Sequence, residues 1–334
     1  MKKLLKVLSI LLVMMLVLAG CSPAEEMEGE EEIAEPAQTI EIGVIQYVEH
    51  VALDAARNGF IDALADNGYT DGDTVNIDVQ NAQADQSNLA TISDRFISND
   101  VDLILAIATP AAQAVAGKTT EIPILGTAIT DYESARLVDS NEMPGGNVTG
   151  TTDMNPIKDQ IDLLVELVPD VETVGVLYTS SEDNSILQAS MAKEAIEALG
   201  MDYVEVTVTN SNDVQQATQS IVSQCDAIYI PTDNVFAMAM PVVSGVTIDS
   251  KTPVICGESG MVENGGLATL GINYYDLGYQ TGLMAVRILS GEESPANMAI
   301  ESAKGFDFAI NGAVAESIGV TIPERLAEYV ISIR

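Results

Sequence analysis

Two acidic residues stand where the sequence predicts that a buried strand has just ended. Asp233 comes after the apolar run Ala227–Ile230, and Glu258 comes after Val254–Cys256. In open α/β sheets, ligands bind outside the carboxyl ends of parallel strands, so both carboxylates would face one cleft. A carboxylate there would pair with an ammonium group.

Two predicted helix starts offer the opposite chemistry. Thr109 is a predicted N-cap residue with Pro110 at the first helical position, and Asn184 and Ser185 open a second helix. Unpaired N–H groups and the helix dipole favour an anion such as a carboxylate at these positions. Anion sites that face an acid suit an α-amino acid. The alternative is that Thr109, Asn184 and Asp233 only cap their helices, and the sequence leaves both interpretations open.

Two further residues follow the first predicted strand. Tyr47 in the cleft would pack against an apolar or aromatic ligand side chain, and a surface tyrosine is the alternative. His50 is the one histidine of the chain. We expect it to form hydrogen bonds at a helix start or in the cleft, because no nucleophile motif accompanies it.

The sequence motifs of common enzymes are absent. There is no G-x-x-x-x-G-K-[ST], G-x-G-x-x-G or H-E-x-x-H segment. The segment Gly257-Glu258-Ser259-Gly260-Met261 departs from G-x-S-x-G at its last position. A glycosidase pair made of Asp233 and Glu258 is disfavoured, because no sugar-stacking aromatic residues flank it. We therefore expect no catalytic residue, no cofactor and no metal site.

The charge balance excludes one class of partner. The chain has 14 Lys and Arg against 50 Asp and Glu, a net charge of −36. Nucleic-acid binding depends on neutralising phosphates with a basic surface, so a nucleic-acid partner is excluded. The same charge argues against unaided docking on anionic lipid.

The N-terminus has the features of an exported, lipid-anchored protein. Basic Lys2, Lys3 and Lys6 precede or interrupt the apolar stretch Leu4–Leu18, which is too short to span a bilayer. Its end, Leu18-Ala19-Gly20-Cys21, resembles a bacterial lipobox. We expect residues 1–20 to be a signal peptide and Cys21 to carry the lipid, with palmitate among its acyl groups. Residues 21–38 are Glu-rich and would form a solvated tether.

The other two cysteines are expected to be free. Cys225 would lie at the start of one predicted strand and Cys256 at the end of a parallel neighbour. At ~3.3 Å per residue they would be over ~10 Å apart, beyond disulfide reach.

Strand and helix patterns alternate from Thr39 onward, which predicts an open α/β fold. The predicted strands are Ile40–Ile45, Val75–Val79, Leu103–Ile107, Ile122–Leu125, Val174–Tyr178, Tyr203–Val208, Ala227–Ile230 and Val254–Cys256. The predicted helices are Val51–Asp66, Asp85–Ser98, Pro110–Ala116, Pro156–Leu167, Asn184–Leu199, Asn212–Ser223 and Asn234–Ile248. Four strands precede and four follow a turn-rich break at residues 141–147, so two lobes are the economical interpretation.

Several segments between about residues 40 and 320 also resemble one family, the substrate-binding lipoproteins of ABC importers. Within it, they resemble the branch associated with tryptophan and tyrosine uptake. The segments are Ile45-Gln46-Tyr47-Val48-Glu49-His50, Asp85-Gln86-Ser87, Ile107-Ala108-Thr109-Pro110-Ala111-Ala112-Gln113, Gly146-Asn147-Val148-Thr149-Gly150, Ser181-Glu182-Asp183-Asn184-Ser185, Ile230-Pro231-Thr232-Asp233-Asn234 and Gly265-Gly266-Leu267-Ala268-Thr269.

The resemblance implies a type I periplasmic-binding (Venus-flytrap) fold. Each lobe would be an open, mostly parallel sheet flanked by helices, and three strands would cross between the lobes. These strands are expected near Val148–Thr152, Ala268–Ile272 and Phe306–Ile310. The first lobe would comprise residues 39–151 and 273–303, and the second residues 152–272 and 304–334.

The resemblance also implies where the ligand binds and how. The ligand-binding residues that it implies are Tyr47, Thr109, Ala111, Thr127, Ala128, Asn184, Ser185, Asp233 and Glu258. We also expect His50, Glu182 and Asn234, which lie in the same post-strand loops, to bind the ligand. Thr109, Ala111 and Thr127 would hold a carboxylate, while Asp233 or Glu258 would hold an ammonium group. Family members often have Asp where this chain has Glu258. The lobes would close on the ligand.

The implied protein is a monomer held outside the cytoplasm by the lipid at Cys21. It would deliver an amino acid, aromatic by the resemblance, to an ABC permease with its partner ATPase. Three alternatives remain: the same fold binding another small solute such as a nucleoside or sugar, a sensor lipoprotein, and a surface enzyme.

Overall fold

Strands and helices alternate through residues 39–331, the part of the chain that the computed structural model describes. The strands are β1 (Ile40–Gln46), β2 (Val75–Asn81), β3 (Leu103–Ile107), β4 (Ile124–Ile129), β5 (Val148–Thr152), β6 (Thr173–Thr179), β7 (Asp202–Val208), β8 (Ala227–Ile230), β9 (Val254–Cys256), β10 (Ala268–Gly271), β11 (Glu301–Ser302), β12 (Asp307–Asn311) and β13 (Val330–Ile331). The α-helices are α1 (Val51–Asp66), α2 (Gln86–Ser98), α3 (Thr109–Ala116), α4 (Ile157–Leu167), α5 (Asp183–Ala198), α6 (Val214–Ile221), α7 (Asn234–Ser250), α8 (Ser259–Glu263), α9 (Tyr274–Leu289) and α10 (Gly312–Ile318). The signal peptide, Cys21 and the tether lie outside these residues.

The strands form two sheets. The first has the order β11-β5-β4-β3-β1-β2, and all its strands are parallel. The second has the order β13-β12-β10-β9-β8-β6-β7 and, within the described residues, one antiparallel pair, β10 with β12. Strands such as β3 are apolar and buried along their whole length because helices cover both faces of a parallel sheet.

Each sheet has its own apolar core with the helices that pack on it. Helices α1, α2, α3 and α9 contribute buried side chains to the core of the first sheet. The remaining helices pack on the second sheet. We call the first sheet with its helices the first lobe and the second sheet with its helices the second lobe.

The described chain passes between the sheets at each of the expected places. Strand β5 belongs to the first sheet and β6 to the second, β10 belongs to the second and β11 to the first, and β12 returns to the second. Helix α9 packs closely on α1, where a Cβ at Gly278 would lie 1.9 Å from the carbonyl oxygen of Ala56. Glycine is needed there because two helix backbones meet.

Most predicted elements are present with ends shifted by one or two residues, but β4 differs more. The sequence predicts Ile122–Leu125, whereas the strand runs over Ile124–Ile129. Thr127 and Ala128 therefore lie in the strand and not in the loop after it. Gly126 and Ala128 are residue types with low strand propensity, but the strand continues because Thr127 pairs with β3 and because Gly126 and Ile129 pair with β5. Ala128 has φ 55° at a register shift next to β5.

The two cysteines are free, as predicted. Cys256 ends β9 opposite Ile230 of the parallel neighbour β8, and Cys225 precedes β8. Within residues 39–331, no helix combines the length and the apolar character that a bilayer crossing needs.

Candidate ligand-binding site

A small cavity lies between the lobes, at the carboxyl ends of strands from both sheets. It is lined by His50, Leu53, Ala128, Asp153, Asn184, Thr232, Asp233, Asn234, Ala237, Glu258 and Tyr274. Six of the expected ligand-binding residues are therefore brought together: His50, Ala128, Asn184, Asp233, Asn234 and Glu258. The other six are buried in the surrounding elements: Tyr47, Thr109, Ala111, Thr127, Glu182 and Ser185.

Hydrogen bonds join the two lobes around this cavity. They are His50 Nε2 with Asn234 Oδ1 at 3.4 Å, Gln188 Nε2 to Thr130 Oγ1 at 3.0 Å, and Gln113 Nε2 to Asp183 Oδ2 at 2.8 Å. The lobes are thus closed on the cavity.

Asp233 is fully engaged by its own lobe. One carboxylate oxygen accepts the backbone N–H of Thr179 at 2.6 Å, and the other accepts the Thr179 hydroxyl at 2.8 Å and the N–H of Phe236 at 2.9 Å. It therefore caps α7 and ties that helix to the end of β6. Burial raises the pKa of this carboxyl group.

Glu258 also caps a helix. Its two carboxylate oxygens accept the N–H groups of Gly260 and Met261 at the start of α8. Burial raises the pKa of Glu258 to about 7. Asp233 and Glu258 therefore both cap helices, as the alternative interpretation predicted for Asp233. Both side chains also line the cavity.

Glu182 is a third buried acid beside the cavity. Its Oε2 accepts N–H groups from the backbone and the side chain of Asn234, the second at 2.6 Å. Burial, followed by the charge of Asp233, raises its pKa to about 8. Its Oε1 and the Oδ1 of Asn184 are buried and have no hydrogen-bond partner among the described residues.

His50 lines the cavity, and Tyr47 is buried beside it. His50 is the N-cap residue of α1 but makes no side-chain cap, and burial lowers its pKa to about 4. Tyr47 is buried, so the surface alternative for it is wrong. Burial, aided by the charges of Glu182 and Asp233, raises the pKa of Tyr47.

The predicted cap at Thr109 is wrong. Helix α3 begins at Thr109 itself, and its N-cap residue is Ala108 with φ 80°. The N–H of Ala108 donates to the carbonyl oxygen of Thr127 at 3.1 Å, which ties this turn to β4. The Thr109 hydroxyl is buried and has no partner within residues 39–331.

Asp153 and Tyr274 line the cavity but were missed in the sequence. The Tyr274 hydroxyl donates to Asp153 Oδ2 at 2.8 Å, whereas Asp153 Oδ1 is buried without a partner in the described chain. Burial raises the pKa of Asp153. The sequence carries a signal for Asp153, because this residue directly follows the predicted crossing strand Val148–Thr152 and so lies at the carboxyl end of a strand.

The cavity is rich in acids. Asp153, Asp233 and Glu258 line it, and its described lining contains no Lys or Arg. Among residues 39–331, no group of His, Cys, Asp and Glu side chains is arranged to hold a metal ion. The cavity therefore suits an organic ligand with a positive charge and hydrogen-bond donors.

Comparisons with known proteins agree with this architecture. The family model for ABC transporter substrate binding proteins matches residues 41–333, so the chain belongs to that family. It is 41% identical over 292 residues to a tyrosine-binding protein of Clostridioides difficile (strain R20291), covering 86% of this chain and 85% of the relative. The fold is the expected type I periplasmic-binding fold, and the protein is a binding protein rather than an enzyme. Substrate-binding proteins of ABC importers work outside the cytoplasm.

Two solved structures differ in how well they superpose on this chain. An ABC domain from Streptococcus pneumonia in complex with L-Trp is 40% identical, with a TM-score of 0.85, covering 88% of this chain and all of that one (100%). A ligand-free, open structure of a substrate binding protein with adhesive properties from Clostridium difficile is 43% identical, with a TM-score of 0.68 and coverages of 89% and 100%. The open structure superposes less well on this chain although its sequence identity is similar. This agrees with the hydrogen bonds that hold the two lobes together here.

Proposed function

We propose that this protein binds a free amino acid in the cavity between its lobes and delivers it to the permease of an ABC importer. The observation that carries the proposal is the set of acids lining the cavity, Asp153, Asp233 and Glu258, without a Lys or Arg in the described lining. Buried carboxylates without a cation are costly, and burial raises the pKa of all three. A ligand ammonium group would offset this cost.

We assign the ammonium group chiefly to Asp153. Its Oδ1 is buried and lacks a partner among the described residues, whereas both oxygens of Asp233 and of Glu258 already accept hydrogen bonds. The sequence had pointed to Asp233 or Glu258 for this role. Their charges would still attract an ammonium group at short range.

We assign the ligand carboxylate to helix N-termini of the first lobe. Helices α1 and α3 begin without a side-chain cap, which leaves backbone N–H groups at the start of α1 and the N–H of Thr109 in α3 for an anion. The N–H groups of Ala111 and Ala112 in α3 already donate to the carbonyl oxygen of Ala108. The unpartnered hydroxyl of Thr109 adds a donor at the start of α3. Ala111 lies in the same turn. The carbonyl oxygen of Thr127 accepts the N–H of Ala108, the residue directly before this turn.

The ligand is proposed to be an aromatic amino acid. One relative is named for tyrosine, and one similar domain was solved with L-Trp. The side chains of Leu53, Ala128 and Ala237 give the cavity apolar surface. Tyr47, Glu182 and Ser185 remain proposed ligand-binding positions of the surrounding wall.

We further propose that the mature protein is a monomer anchored through lipid at Cys21, with residues 21–38 as a tether. The lobe boundaries are proposed as 39–151 with 273–303 and 152–272 with 304–334, in keeping with the sheet to which each strand belongs. Labelling cells with radioactive palmitate tests the anchor. Label should enter the native protein and not Cys21→Ser, and equal labelling would contradict the assignment.

Thermal unfolding of the purified full-length protein tests the ligand class. The panel is the twenty amino acids, several sugars and several nucleosides. A ligand at ~100 times its Kd adds ~2.7 kcal/mol to stability, which moves the midpoint of a domain this size by at least ~2 °C. We expect such a shift with tyrosine or tryptophan and none with N-acetyl-L-tyrosine, which has no ammonium group. A shift only with a sugar or nucleoside would overturn the amino-acid proposal.

A further inference from the structure

The protonation of His50 follows from its neighbours. Asn234 Nδ2 donates to Glu182 Oε2 at 2.6 Å, which turns Asn234 Oδ1 toward His50 Nε2 at 3.4 Å. An amide oxygen only accepts, so Nε2 must carry the ring proton. Burial lowers the pKa of His50 to about 4, so the ring is neutral at neutral pH and Nδ1 is an acceptor.

This acceptor has no partner in the described chain. His50 Nδ1 is buried without a hydrogen bond, and it does not cap α1, although His50 is the N-cap residue. A buried polar atom of this kind normally has a partner, and one without a partner calls for an explanation. His50 lines the cavity, so a bound ligand is the available source of a donor.

The main-chain groups of an amino acid do not supply this donor. In the proposed function, the ammonium group goes to Asp153, which is hydrogen-bonded to Tyr274 and not to His50. The carboxylate has no hydrogen to give. The remaining part of the ligand is its side chain.

A second acceptor faces the cavity from the other lobe. Asn184 Nδ2 donates to the carbonyl oxygen of Thr232 at 3.0 Å, which fixes Asn184 Oδ1 as the free atom of that amide. This Oδ1 is also buried without a partner among residues 39–331. Each lobe therefore contributes an unused acceptor to a cavity in which Leu53, Ala128 and Ala237 provide the apolar surface for an aromatic ring.

We propose that His50 is a specificity-determining residue: its Nδ1 accepts a hydrogen bond from an O–H or N–H group on the ligand side chain. Tyrosine and tryptophan carry such a group and phenylalanine does not. This inference rests on the proposed function. A site built to hydrogen-bond a ligand hydroxyl strongly rejects the analogue that lacks it, because its own polar atom is then left unpaired.

Calorimetric titration of the full-length protein with L-Tyr, L-Phe, L-Trp and 1-methyl-L-Trp tests the inference. We expect L-Phe to bind more weakly than L-Tyr by on the order of 100-fold or more, and 1-methyl-L-Trp to lose affinity relative to L-Trp. Equal affinities for L-Tyr and L-Phe would overturn the role of His50 and leave amino-acid binding intact. If no amino acid binds, the proposed function itself fails.

Two variants of His50 test whether this residue causes the preference for L-Tyr over L-Phe. In His50→Gln, the amide nitrogen can replace Nε2 beside Asn234, but no acceptor replaces Nδ1. In His50→Asn, the amide oxygen can replace Nδ1. We expect His50→Gln to bind L-Tyr and L-Phe nearly alike, with L-Phe affinity within about threefold of the native protein, and His50→Asn to regain part of the preference. An equal loss for both ligands in His50→Gln would show that His50 only bridges the lobes and would overturn the inference. The ligand series on the native protein decides the question even if a variant does not fold.

Discussion

Gln188 in α5 of the second lobe donates a hydrogen bond to Thr130 in the first lobe, with 3.0 Å between Nε2 and Oγ1. Gln188 is fully buried and does not line the cavity. The same side chain also hydrogen-bonds to Thr232. Because the bond to Thr130 joins the two lobes, it stabilises the closed form, and the Gln188 side chain lies outside the lining of the cavity.

Replacing Gln188 by Met should therefore weaken every ligand by the same factor. Unpaired buried partners cost about 1–3 kcal/mol, or on the order of 5- to 150-fold in affinity, through a smaller closed population. Calorimetry with several ligands measures the factor, and small-angle scattering measures the shift toward an open form. Gln113→Ala removes the exposed bond to Asp183 and should change affinity by no more than about threefold. A factor that differs between ligands would place Gln188 in ligand recognition instead.

Asp153→Asn should remove most of the affinity for an amino acid. Loss of one charge from a buried ion pair costs about 2–5 kcal/mol, which is on the order of 30-fold or more. Titration calorimetry gives the change. Tyr274→Phe is the matched control, because it deletes the hydrogen bond to Asp153 Oδ2 and keeps the charge, so its loss should be smaller. If Asp153→Asn keeps the affinity of the native protein, another acid binds the ammonium group and the assignment to Asp153 is wrong.

The buried Glu258 should make stability depend on pH. Its pKa rises from 4.5 to about 7 on folding, so the folded protein binds a proton that the unfolded chain has released. The free energy of unfolding should therefore fall as pH rises from about 4.5 to about 7, and this contribution should level off above that range. Urea unfolding at pH 5, 6, 7 and 8 measures the slope.

Glu258→Gln should reduce this pH dependence, because an amide does not titrate, and the raised pKa values of Asp153, Asp233 and Glu182 account for the slope that remains. Glu263→Gln changes an exposed acid on the same helix and should leave most of the native slope in place, because burial raises the pKa of Glu258 more than the charge of Glu263 does. If Glu258→Gln keeps the native slope, the other buried acids of the cleft carry it.

Gly278→Ala should destabilise the first lobe. The new Cβ would lie 1.9 Å from the carbonyl oxygen of Ala56, so α9 and α1 would have to separate. Such overpacking costs about 1–3 kcal/mol. Gly245→Ala is the control: it lies exposed in α7 with no atom within 4 Å of the added Cβ. It should stabilise by up to about 1 kcal/mol, since alanine favours a helix. Urea midpoints of the two variants should move in opposite directions.

Much of this fold could be predicted from apolar runs alone. Leu103–Ile107 and Val254–Cys256 have the predicted bounds, because strands buried on both faces are apolar throughout. The end of β4 could not be predicted in this way. Its residues Thr127 and Ala128 become strand through pairing with neighbours that are distant in sequence.

Most residues that line the cavity, including Asp233, Glu258 and Asn184, could be predicted because ligands bind at the carboxyl ends of parallel strands. Their separate roles could not be predicted, because the sequence does not show which carboxylate oxygens already accept hydrogen bonds within the protein. Asp233 is occupied by Thr179, a residue 54 positions away, whereas Asp153 keeps a free oxygen. That difference between two acids of the same charge arises only from the three-dimensional contacts.

The exchange of chain between the sheets constrains how the protein can be made. The first sheet receives its edge strand from Glu301–Ser302, and α9 must reach α1 before the first lobe is packed. A nascent chain that stops short of these residues cannot finish its first lobe, although the earlier strands are already synthesised. Packing of the first lobe can therefore be completed only after most of the polypeptide has been synthesised.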